Sequence, residues 1–136
     1  MIVAINSEST FDYSLISDTG DNKTIFKLGV IDAFVRAFID DTHTSIKKED
    51  GSMDDIAISD KYVQFVKFGL RGWDNFKDSN GNEILFQTEE KVFPRIGKRT
   101  IVSDNCLAKL DLQWIIELGL QIVIHNKLSE SESKNS

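Results

Sequence analysis

The segment LQWIIELGLQIVIHN, residues 112–126, constrains the fold more than any other stretch. Its spacing predicts a helix, with Asp111 placed to cap the first turn. Gln113, Glu117, Gln121 and His125 stand four apart and form one narrow polar stripe, while nearly every other position from Leu112 to Ile124 is apolar. A helix apolar around most of its circumference is either the centre of a core or half of an interface. In a chain of 136 residues both readings are open. The interface reading selects Trp114, Ile115, Leu118 and Ile122 as an apolar partner-binding surface. WIIELGLQIVI, residues 114–124, is also the longest apolar-rich run. It falls well short of the ~20 residues that a membrane-spanning helix needs.

The remaining elements follow from periodicity and turn chemistry. TFDYSLIS and KTIFKLGV flank the loop DTGDN and predict a β-hairpin over residues 10–30, with MIVAI as a possible third strand. Ile31, Phe34, Val35, Phe38 and Ile39 fall on one helical stripe and predict a helix over 30–43. THTSIKKEDGSMDD reads as a polar loop, and Ser59 or Asp60 as the cap of a helix carrying Tyr62, Val63, Phe65, Val66 and Leu70. Gly69 inside that helix implies the close approach of another backbone, and Gly72 suits a left-handed helix end. Phe68, Leu70 and Trp73 then close a buried helix, and Asn80-Gly81 turns a short second hairpin. Ser103 caps a short helix ahead of the long one. The expected fold is α+β: a mainly helical single domain over 1–128 with an N-terminal β-hairpin and a short second hairpin, followed by a disordered tail over 129–136.

Charge is unevenly spread. The net charge is −6; residues 1–60 hold 12 acids and 5 bases, and residues 61–110 hold 6 acids and 9 bases. The acidic part disfavours nucleic-acid binding, because phosphate repels it. The basic part is concentrated in KVFPRIGKR, residues 91–99, where Lys91, Arg95, Lys98 and Arg99 form a candidate charged surface for an acidic partner, against the plainer reading of a solvated loop. The single cysteine, Cys106, excludes an internal disulfide. No signal-peptide pattern opens the chain, so a soluble protein of a cytoplasm is expected.

Motifs for chemistry are weak. Setting Gly81 at the sixth position of an EF-hand loop puts Phe76 first and Gln87 twelfth, where Asp and Glu are needed. His43 and His125 have no second ligand at zinc spacing, and Cys106 has no motif of a nucleophile around it. There is no Walker loop, GxGxxG or GxSxG. Phe68, Trp73 and Phe76 beside Lys67, Arg71 and Lys77 could stack bases, but the acidic remainder argues against it. The expectation is a protein without catalytic residues, metal or cofactor.

KFGLRGWDNF, the turn DSNGNEILF, GKRTIVSDNCLAKL, the helix with Ile116-Glu117-Leu118, and NKLSESESKN together resemble a group of small tailed-bacteriophage proteins, as does FKLGVIDAFVRAFIDD over 26–41. The resemblance covers about residues 24–136 and implies a role in virion assembly in the host cytoplasm. Among such proteins the tail assembly chaperones hold the tape-measure protein, so the implied partner is a tape-measure or other tail protein; the apolar helix leaves a homo-oligomer open, while the charge and the short apolar run give the expectation of no nucleic acid and no membrane. The alternatives are a minor structural virion component and an acidic inhibitor of a host nucleic-acid-binding protein.

Overall fold

A computed structural model describes residues 1, 2, 4–44 and 55–135. Among them the element order is β1 (Thr10–Tyr13), β2 (Ile25–Gly29), α1 (Ala33–Thr44), α2 (Asp55–Gly69), β3 (Leu70–Asp74), β4 (Thr88–Phe93), β5 (Gly97–Val102), α3 (Asp104–Leu107) and α4 (Leu112–Asn135). One antiparallel sheet has the order β1-β2-β3, and β4 and β5 form a second, two-stranded one. The fold is therefore a small single-domain α+β unit. Helices hold more residues than strands, but "mainly helical" understates five strands in two sheets. The polar stretch at 45–54, expected as a loop, lies outside the described residues. Helix α4 runs through to Asn135, so its last turns take in the segment expected as a tail.

The N-terminal hairpin forms as expected, with Thr10 opposite Gly29 and Tyr13 opposite Phe26. Its third strand is not MIVAI but β3, which pairs with β2 from Ile25–Asp74 to Leu28–Leu70 across a bulge. The expected end of a buried helix at Leu70–Trp73 is thus an abrupt passage from helix to strand after Gly69. Gly72 is an ordinary strand residue, since an added Cβ would sit 3.5 Å from the Lys27 side chain. Helix α2 also starts a turn earlier than the Ser59–Asp60 cap implied.

Gly69 and Gly119 explain how α2 and α4 come together. A Cβ at Gly69 would lie 2.7 Å from Ile122 Cδ1, and one at Gly119 would lie 3.0 Å from the Tyr62 carbonyl oxygen. The close neighbour of Gly69 is thus a side chain; the backbone contact falls at the other glycine. Each gap admits the opposing helix, which offsets the roughly 1 kcal/mol that glycine costs inside a helix.

The aromatic junction lies inside the fold. Trp73 packs edge-on against Phe76 and Phe86, with centroids 4.9 and 5.0 Å away, and against Phe26 at 6.3 Å. Its Nε1–H donates to the Ile84 carbonyl at 2.7 Å. The Asn80-Gly81 turn forms with Gly81 at φ +83° and brings Lys77 opposite Glu83. That turn returns the chain to bring the Ile84 carbonyl and the Phe86 ring against the indole.

KVFPRIGKR is a β-hairpin, not a loop. Lys91 pairs with Arg99 and Phe93 with Gly97, around a turn in which Arg95 and Gly97 take φ of 70° and 75°. Phe93 anchors it by packing on Phe68 and Phe38. On α1, Asp32 caps the first turn by accepting the Val35 N–H at 2.9 Å. Phe34, expected on the buried stripe with Val35 and Ile39, is instead 74% exposed.

Candidate interaction surface

Helix α4 packs on two sides. Ile115, Leu118, Ile122 and Asn126 are buried toward α2 and the core. On the neighbouring side two members of the polar stripe, Glu117 and His125, meet the first hairpin, while Gln113 stays exposed. Glu117 Oε2 accepts from the Tyr13 hydroxyl at 2.7 Å and from the Ile16 N–H at 2.9 Å. His125 stacks on Phe11 at a centroid distance of 3.5 Å and donates from Nδ1 to the Gln121 carbonyl. Burial, then the hydrogen bond to Glu117 and its charge, push the Tyr13 hydroxyl up to about 12.

This arrangement overturns the expected apolar surface. Ile115, Leu118 and Ile122 are core residues and unavailable to a partner. Trp114 is half-buried against Phe76. The outward row is instead Leu112, Ile116, Leu120 and Ile124, spaced four apart on the remaining side. Leu112, Leu120 and Ile124 are exposed at 46, 42 and 40%, and Ile116 is half-buried. No charged side chain interrupts the row from Leu112 to Ile124. The row is visible in the sequence as a period-four set beside the polar stripe. Glu117 in that stripe serves a hairpin whose Tyr13 hydroxyl and Ile16 amide need acceptors.

The basic hairpin is largely neutralised by its own fold. Arg95 pairs with Asp41 at 3.1 Å and lies over the Phe38 ring. Lys98 pairs with Glu90 at 2.9 Å and Arg99 with Asp32 at 2.5 Å. Lys91 sits over the Phe93 ring. The four cations therefore do not form one open patch.

A cleft of about 410 Å³ beside this hairpin is lined by Val35, Phe68, Leu70 and Ile101 together with Arg71, Arg99 and Asp32. Its arginines are spent internally. Arg71 donates to the carbonyls of Phe68, Ser7 and Val30 at 3.3, 3.1 and 3.2 Å. Burial lowers its pKa, and the Asp32 charge opposes that. For Asp32, burial raises the pKa, but the Val35 N–H and the Arg99 guanidinium outweigh it and hold the carboxyl below its usual range. Arg71 thus ties Ser7 to Val30 just after β2, and the Arg99–Asp32 pair ties the β4–β5 hairpin to the residue that caps α1.

Among the described residues no helix is long and apolar enough to cross a membrane, and no three potential metal-ligating side chains gather. Comparison with protein families, curated proteins and solved structures returns no match.

Proposed function

We propose that this chain is a non-catalytic protein-binding component of tailed-phage virion assembly. It acts in the manner of a tail assembly chaperone, holding a helical segment of a tape-measure or other tail protein. The observation that supports this most directly is the outer row of α4. Aliphatic side chains four residues apart suit the apolar face of a partner helix, which docks through the same i, i+4 spacing. The phage setting rests on the sequence resemblance through KFGLRGWDNF and the segments that follow it.

The test is to purify a tagged copy from cells producing the phage and, in parallel, to analyse finished particles by mass spectrometry. The proposal expects a long helical tail protein in the eluate and the chain missing from particles. A fixed ratio in particles would make it a structural component. A host nuclease or polymerase in the eluate would move the reading to an inhibitor.

A further inference from the structure

A different surface carries a second conclusion. Strand β4 pairs only with β5, so its outer edge is without a strand partner among the described residues. Every side chain from Thr88 to Val92 is exposed, and Val92 is 74% exposed. An open edge presents backbone donors and acceptors to any extended chain, and charged side chains on it deter unrelated strands. Here the charges are Glu89, Glu90 and Lys91. Lys91 stands opposite Arg99 across the hairpin, and Arg99 already has Asp32. Among the described residues neither Lys91 nor Glu89 enters an ion pair.

We infer that two copies of this chain pair antiparallel through β4, about a two-fold axis at Glu90, to make a four-stranded sheet in the order β5-β4-β4-β5. The occupant follows from charge complementarity. A two-fold normal to the sheet requires directly opposed residues to lie on the same face, so the axis passes through a residue position. With the axis at Glu90, Glu89 of each copy faces Lys91 of the other, which forms two ion pairs on one face. On the other face Thr88 meets Val92 twice and covers it. The two Glu90 side chains meet on the axis, each neutralised by its own Lys98 at 2.9 Å. Moving the axis to Lys91 opposes two lysines and sets Glu90 against Val92. The charges that deter foreign strands thus match each other in one register, because opposite charges across strands stabilise and like charges destabilise.

The edge is six residues long, so the dimer is weak and concentration-dependent. Sedimentation over a wide concentration range should show the 15.4 kDa chain passing into a species of twice that mass. Amide exchange in residues 88–92 should slow over the same range. Glu89→Lys should abolish the dimer while leaving unchanged the thermal unfolding midpoint measured at concentrations where the native chain is a monomer, and Glu89→Lys combined with Lys91→Glu should restore both dimer and protection. A monomer at every concentration would overturn the inference. So would a dimer that survives Glu89→Lys, or a double exchange no better than the single one. None of these results bears on the α4 row, which lies on another element.

Discussion

Asn126 is the one buried polar residue among the described positions, 3% exposed near the middle of α4. Its Oδ1 accepts from the Ile31 N–H at 3.1 Å, and its Nδ2 donates to the Ile31 carbonyl at 3.0 Å. Ile31 lies between β2 and α1, where neither a ladder nor a helix serves its backbone, and it is itself 3% exposed. Asn126→Leu would leave both groups buried and unpaired. Each such group costs about 1–3 kcal/mol, so the loss is about 2–6 kcal/mol. Against the roughly 5–15 kcal/mol that holds a domain together, that is a large share. Thermal and urea unfolding should show it, with the midpoint lowered on the order of 10 °C. Asn126→Asp sharpens the test. A carboxylate accepts from the N–H but faces the carbonyl with no proton to donate, whereas the protonated acid restores both bonds. Burial raises its folded pKa above the unfolded value of about 3.9. Its stabilisation is therefore present at low pH and lost as pH rises through the folded pKa. The gap to the native chain should narrow on acidification for Asp and stay constant for Leu. A Leu variant within about 0.5 kcal/mol of the native chain, the scatter of surface substitutions, would refute the reasoning.

Three further outcomes follow from the packing. Trp73→Ala should cost about 3–5 kcal/mol in chemical unfolding, as a large buried aromatic does, and Trp73→Phe less, since it keeps a ring but orphans the Ile84 carbonyl. Gly69→Ala should destabilise by about 1–3 kcal/mol, because Ile122 is fully buried and has little room to move; a stabilised variant would show the helices are free to separate. Asp32 contributes stability that is present above its unfolded pKa and lost as pH falls through its lowered folded pKa. Asp32→Asn keeps the helix cap but not the Arg99 ion pair, so stability measured from pH 7 down to 2 should fall less steeply than in the native chain.

The elements whose signals are local were legible in the sequence. The first hairpin, α1, the Asn80-Gly81 turn and the Ser103 cap all formed; Ser103 Oγ accepts the Cys106 N–H at 3.2 Å, and Asp111 likewise caps α4. The errors lie where a local pattern has two tertiary outcomes. KFGLRGWD continues a helical spacing, and only pairing with β2 draws Leu70–Asp74 into a strand. KVFPRIGKR looks like a charged loop because its cations dominate, while Phe93 and the turn residues decide its form. The apolar helix admitted a core or an interface; Ile115, Leu118 and Ile122 lie in the core, and Leu112, Leu120 and Ile124 on the exposed side. Asn126 carried no signal, because a lone amide after an apolar run has no local reason to be buried.

The measurement that bears most directly on the account compares the native chain with a Leu120→Lys, Ile124→Lys variant, each tagged and purified from phage-producing cells. Both positions are about two-fifths exposed, so unfolding midpoints should agree. The native chain should retain a helical tail protein and the variant should lose at least tenfold of it, the effect of about 1.4 kcal/mol of contact. Equal recovery of the same partner by both would place the binding surface elsewhere and contradict the account.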